Sequence, residues 1–283
     1  MAVTYPLRGA NATINSWGST NFYSNLKTNI TPASMAFNVQ NNGVNVTGIG
    51  EFPISEIPGL ISADATIGGF AGASPYLGVY ASSSASGGTT APYMVDIQSL
   101  NLTLRCLGVD DITTGSSGSP ATYMSFMPVG GFQATATWTA LVDQNTPLLL
   151  PDIRTNTLNN IVFTYGNGQT LTFATGNIRT LGVRIARNSK QIVTYQANSV
   201  GAVTPAGINS LLGTTAFDSS NPFPLWSGPA GSTQGALTAY MHSTPRSIAF
   251  ADSFVTAISI SATPGAPVGV ECQVQASGAI TLV

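Results

Sequence analysis

Apolar and polar residues alternate one by one through most of this chain, and that period of two limits its fold more than any other feature. It is clearest in "SLNLTLRCLG" at 99–108, "FQATATWTALV" at 132–142, "QTLTFATG" at 169–176 and "RTLGVRIAR" at 179–187, each bounded by Gly, Asn, Asp or Pro. A strand sends successive side chains to opposite faces, so such runs put one face into a core and leave the other polar. The 3.6-residue period of an amphipathic helix is nearly absent. These patterns predict an all-β chain: an antiparallel β-sandwich or partly closed barrel, with at most a short helix.

Turn chemistry divides the runs. "YGNGQ" at 165–169 sets an Asn-Gly pair between β-prone segments, a strong hairpin signal, and predicts a tight hairpin over 160–175. The candidate helical turn is "TPLLLPDIRTNTLNNI" at 146–161, where Pro147 and Pro151 limit its length. Stretches 81–92, 113–122 and 214–235 are too rich in Ser, Gly and Pro to continue strands. The last is long for a compact domain and carries Phe217, Phe223, Leu225 and Trp226, so it is expected to dock as an assembly loop against the same or a neighbouring subunit.

Laid without gaps, 170–201 on 247–278 brings Phe173 onto Phe250, Leu181 onto Ile258, Val183 onto Ile260, Val193 onto Val270, Gln196 onto Gln273 and Gly201 onto Gly278. Both segments read as strand, strand, turn, strand. They are either an internal duplication or two similar β meanders.

Composition bears on partners. With 283 residues the chain can bury a substantial core, yet charged residues make up 7% of it, against about 25% in an average soluble protein. Thr, Ser, Asn, Gln and Gly replace them, which leaves a polar surface with a net charge of -2 and little electrostatic defence against self-association. Burial of that surface against further copies is the expectation; an uncharged secreted β protein shares the composition. Arg179, Arg184, Arg187 and Lys190 are the one local basic concentration, sparse beside the stripe that neutralising several phosphates requires, and are expected at solvated strand ends. Cys106 and Cys272 lie too far apart in sequence for a metal knuckle and read as buried free thiols. The first residues lack the basic start and apolar run of a signal peptide, and no window is apolar enough for a spanning helix, so the expectation is synthesis and use in the cytoplasm, with no membrane partner.

The inventory of reactive groups points away from an enzyme. His242 is the only histidine and has Ser243 beside it, but adjacency does not make a catalytic pair. Asp110-Asp111 has no further carboxylates at calcium-ligand spacing, and no glycine-rich stretch precedes Lys and Ser/Thr in phosphate-loop order. The expectation is a non-enzyme without cofactor or metal.

"VNVTGIGEFPISEIPGLISADATIGGF" at 44–70 carries the remaining signal. Val46-Thr47, the turn at 48–51, Ile57, Pro58-Gly59-Leu60 and a strand over 64–70 together resemble a segment of the tail tube proteins of long-tailed bacteriophages. That family places a charged residue and Asp directly after Pro-Gly-Leu, whereas here Ile61-Ser62-Ala63 precede Asp64. The stretch 253–278 is similar to the carboxyl-terminal strand pair of the same proteins. The resemblance implies a single tail-tube-like β domain over 1–283, with 1–30 as an amino-terminal arm, that closes into hexameric or pseudo-hexameric rings. It implies that the rings stack into a virion tail tube passing double-stranded DNA without sequence-specific binding. The implied partners are further copies, a tape-measure protein and the tail terminator and baseplate proteins. Within that reading the lumen-facing candidates are Asp64 and Thr66 on one strand and Gln133, Thr135, Thr137 and Thr139 on another, whose side chains offer DNA little purchase. Alternatives are a capsid decoration or tail-fibre protein, and a secreted adhesin or hydrolase.

Overall fold

The computed structural model describes residues 13–17, 31–45, 56–57, 59–73, 77–83, 93–94, 96–110, 126–142, 158–166, 168–206, 236–241 and 246–283. Every regular element among them is a strand. In chain order these are β1 (Thr13–Trp17), β2 (Thr31–Asn41), β3 (Val44–Asn45), β4 (Glu56–Ile57), β5 (Ile61–Ala73), β6 (Gly78–Ser83), β7 (Tyr93–Met94) and β8 (Ile97–Asp110). There follow β9 (Phe126–Leu141), β10 (Leu158–Gly166), β11 (Gln169–Arg184), β12 (Ile192–Ser199), β13 (Val203–Ala206), β14 (Leu237–Tyr240), β15 (Ser247–Ala262) and β16 (Pro267–Leu282). The all-β expectation is met. The candidate helix falls mostly outside the described residues, and its last residues, from Leu158, begin β10.

One 14-stranded antiparallel sheet runs β2-β5-β16-β15-β8-β9-β12-β11-β10-β6-β7, with β1, β13 and β14 attached beside it and a small β3-β4 pair apart. Among the described residues no pairing joins β2 to β7, so the sheet is open rather than a closed barrel. It curls over its apolar face instead. Phe37 on β2 and Phe250 on β15 lie three strands apart in the order, about 14 Å in a flat sheet, yet their rings meet edge to face at 5.9 Å. Trp138 on β9 and Phe163 on β10, also three strands apart, have centroids at 5.5 Å. The enclosed core joins alternate residues of the long strands, among them Ile67, Leu102, Leu104, Trp138, Phe173, Tyr195, Ile258, Ile260 and Val274.

Local chemistry explains the corners. β10 and β11 close at Gly166 opposite Gln169, and Gly168 holds a φ of 77°, open to glycine without strain. Asn167 itself lies outside the described residues. In the Pro-Gly-Leu corner the Gly59 N–H donates to Asn41 Oδ1 at 3.0 Å, and the Asn42 N–H donates to the Leu60 carbonyl at 3.1 Å. A Cβ on Gly59 would coincide with the Asn42 carbonyl oxygen. Gly59→Ala is therefore expected to lose about 1–3 kcal/mol, the range for forced overpacking, read as a lower urea midpoint with an unchanged slope. An unchanged midpoint would mean the corner relaxes freely. The strand after this corner begins at Ile61, earlier than the 64–70 expected, so Ile61-Ser62-Ala63 belong to β5. Ala63 is buried and pairs with Val39, which draws these residues into the ladder.

The segments 169–176 and 179–187 form one strand to Arg184 rather than two. A register shift between Ile178 and Thr180 moves the apolar side chains into a new phase, and a phase change looks like a strand end in sequence. The same correction applies to 247–262, which is all β15, with shifts at Phe250/Asp252 and Val255/Ala257.

The register exposes a repeat larger than the 170–201 and 247–278 overlay. In that overlay every β11–β12 pair has its counterpart in β15–β16: Ile178↔Ala197 matches Val255↔Val274, the shift follows in both, and Leu181↔Tyr195 matches Ile258↔Cys272. Beyond Gly201 and Gly278, Leu171↔Pro205 matches Ile248↔Leu282. The strands flanking these hairpins correspond as well. Phe37↔Ala65 of β2–β5 matches Leu102↔Ala136 of β8–β9, and the shift at Pro32/Ser34 matches that at Ile97/Ser99. Ala65↔Val274 matches Ala136↔Ala197. The sheet thus contains two four-strand units in tandem, β2-β5-β16-β15 and β8-β9-β12-β11. The second, here the inserted unit, lies in the chain between β5 and β15 of the first, the flanking unit.

Candidate functional site

The side of the sheet turned away from the core is where the lumen-facing candidates lie. On β5, Ala63, Ala65 and Ile67 are buried while Asp64 is exposed and Thr66 half-buried. On β9, Ala134, Ala136 and Trp138 are buried, Gln133 is exposed, and Thr135, Thr137 and Thr139 are half-buried. All six candidates therefore share the face opposite the core. The ladder connects them: Thr66 pairs with Gln273, Gln273 with Ala257, Ala257 with Arg105 and Arg105 with Gln133. The two strands stand four strand spacings apart, about 19 Å, so they form a surface rather than a pocket.

Neighbouring rows have the same chemistry. One runs Ser261, Asn101, Thr137, Gln196, Thr180, and another Ser259, Thr103, Thr135, Asn198. Among the described residues the charges on this face are of both signs: Asp64, Arg105, Glu271, Arg179 in the bulge beside Thr180 and, at the far end of β11, Arg184, all exposed. The Asn38 side-chain N–H donates to Asp64 Oδ1 at 3.2 Å. Sequence reasoning passed over Arg105 and Glu271, although each stands at a polar position of its alternating run.

Of the basic group, Arg179 and Arg184 lie on β11 and Arg187 and Lys190 in the turn beyond, and all are exposed. Phe217, Phe223, Leu225 and Trp226, with the whole 214–235 loop, lie outside the described residues, as do His242 and Asp111. Of the 1–30 arm, only β1 is described, paired with β14. Cys272 is a free thiol in the core; burial, and after it the neighbouring Glu271, push it up to about 12, so it stays protonated and unreactive at neutral pH. Cys106 occupies β8. Among the described residues no three His, Cys, Asp or Glu side chains lie close enough together to hold a metal ion.

The sequence matches no protein-family model, and no curated protein matches it. Hydroxyls and amides in such rows hold water and make weak, reversible contacts.

Proposed function

We propose that the chain is a structural protein of a bacteriophage virion whose copies join into rings, stacked as the tail tube through which double-stranded DNA passes to the host. The single observation that carries this reading is the broad Ser/Thr/Asn/Gln-rich face with few charges, built on a long sheet that among the described residues is open at both ends. Phosphate contacts from Lys and Arg dominate nonspecific affinity for DNA, and a wall that carries few of them lets the duplex slide. Open sheet ends are aggregation hazards in a free monomer and assembly elements in a ring. On this reading the chain assembles in the bacterial cytoplasm around a tape-measure protein, and terminator and baseplate proteins end the tube.

Negative-stain electron microscopy of the purified protein at rising concentration tests it. Rings or tubes with an axial channel, lined by the Thr-rich face, are expected. A solid particle without a channel, or a species that stays monomeric at high concentration, would overturn the conduit reading.

A further inference from the structure

The tandem repeat assigns the contact between copies. Inside the chain the flanking unit joins the inserted unit through β15 and β8, with Ile258 opposite Leu104, Ser259 opposite Thr103, Ile260 opposite Leu102 and Ser261 opposite Asn101. In the repeat, β11 corresponds to β15 and β2 corresponds to β8, and these two strands have free edges in the described structure. We infer that β11 of one copy pairs antiparallel with β2 of the next, in the register of the internal joint: Leu181 opposite Val39, Gly182 opposite Asn38, Val183 opposite Phe37 and Arg184 opposite Ala36. The inference deepens the self-assembly reading above and rests on it.

Exposure picks out the same residues. At the internal joint Ile260 is 1% exposed and Leu104 0%, whereas their counterparts Val183 and Val39 are 47% and 40% exposed. Ile185, which corresponds to Ala262 at 2%, is 70% exposed. These β-branched side chains keep the core-facing phase of their strands at an edge that has no neighbour among the described residues, which is what an interrupted sheet leaves behind.

Space for the neighbour is present. Beside β15, the residues 247–250 are covered by β14 and the residues 257–262 by β8. Beside β11, β10 covers 169–176, as β14 does in the other unit, and the stretch after 178 has β12 on one side and nothing among the described residues on the other. Charge agrees as well: the register sets Arg184 on the polar face, diagonal to Asn38, whose amide holds Asp64.

Because β11 and β2 are different surfaces at opposite ends of one unit pair, the contact is head to tail, and where the rotation between copies closes it makes a ring with two repeats per chain.

The test mixes two single variants of the full chain, Gly182→Cys and Asn38→Cys, under mild oxidation, beside the shifted pair Gly182→Cys with Gln40→Cys. The expected result is a covalent species of two chains from the first mixture, at least tenfold above that from the shifted pair, with the chain count per ring read by native mass spectrometry. Cross-linking in a small ring that never stacks would support the joint and overturn the tube instead. Rings or tubes that form without this cross-link, or with the shifted one favoured, would overturn the joint and leave the tube reading intact. Neither cross-link nor assembly at high concentration would overturn both.

Discussion

Val183→Lys is expected to abolish assembly while leaving the subunit folded. Val183 is 47% exposed in the single chain, and its strand is already held by β12 through Val183↔Val193, so a lysine there can send its ammonium to water. At the proposed joint the same position must be as buried as Ile260, and an ammonium enclosed without a partner costs several kcal/mol. Nature protects free strand edges in the same way, with an inward-pointing charge. Size-exclusion chromatography with light scattering should report a monomer whose circular dichroism and urea midpoint match the parent. Normal rings from this variant would place the joint elsewhere; an unfolded product would instead show that Val183 serves the subunit's own core, a distinction that Val39→Lys, on the opposite edge, repeats independently.

Trp138→Ala should have the largest effect on the subunit itself. Its ring is fully buried, stacked on Tyr195 at 5.0 Å and edge to face with Phe163 at 5.5 Å, and Phe163 in turn meets Phe173 at 4.9 Å. One side chain thus fixes β9, β10, β11 and β12 around the inserted unit. Truncation removes the transfer term and opens a cavity that rigid strands cannot fill, an expected loss of about 3–5 kcal/mol in urea denaturation. A loss under about 1 kcal/mol would mean that the sheet collapses into the gap and that the aromatic cluster is not what fixes the curl. The counterpart of Trp138 in the flanking unit is Ile67, so the aromatic anchor belongs to one repeat alone.

Residue patterns of period two, with the Asn-Gly pair before Gln169, were enough to predict an all-β antiparallel chain and the β10–β11 hairpin, because both depend on side-chain direction and φ preferences over a few residues. The likeness of 170–201 to 247–278 was legible for the same reason: matching bulges keep matching phases. The signal for the other half of the repeat was also present, since Ala63, Ala65 and Thr66 fall on Ala134, Ala136 and Thr137, but "ADATIGG" and "ATATWTA" are too short and too common in composition to stand out. The polar face could be named residue by residue for β5 and β9, yet that these strands share one surface could not. Alternation states that a strand has a buried face and an open one; it says nothing about which of many similar strands lies beside it. Only tertiary structure decided that β5 pairs with β16, that β15 and β8 join the two units, and that one edge of β2 and one edge of β11 beyond residue 178 have no neighbour among the described residues, because such pairings are selected by the summed burial of a curled sheet and by register fixed at distant bulges.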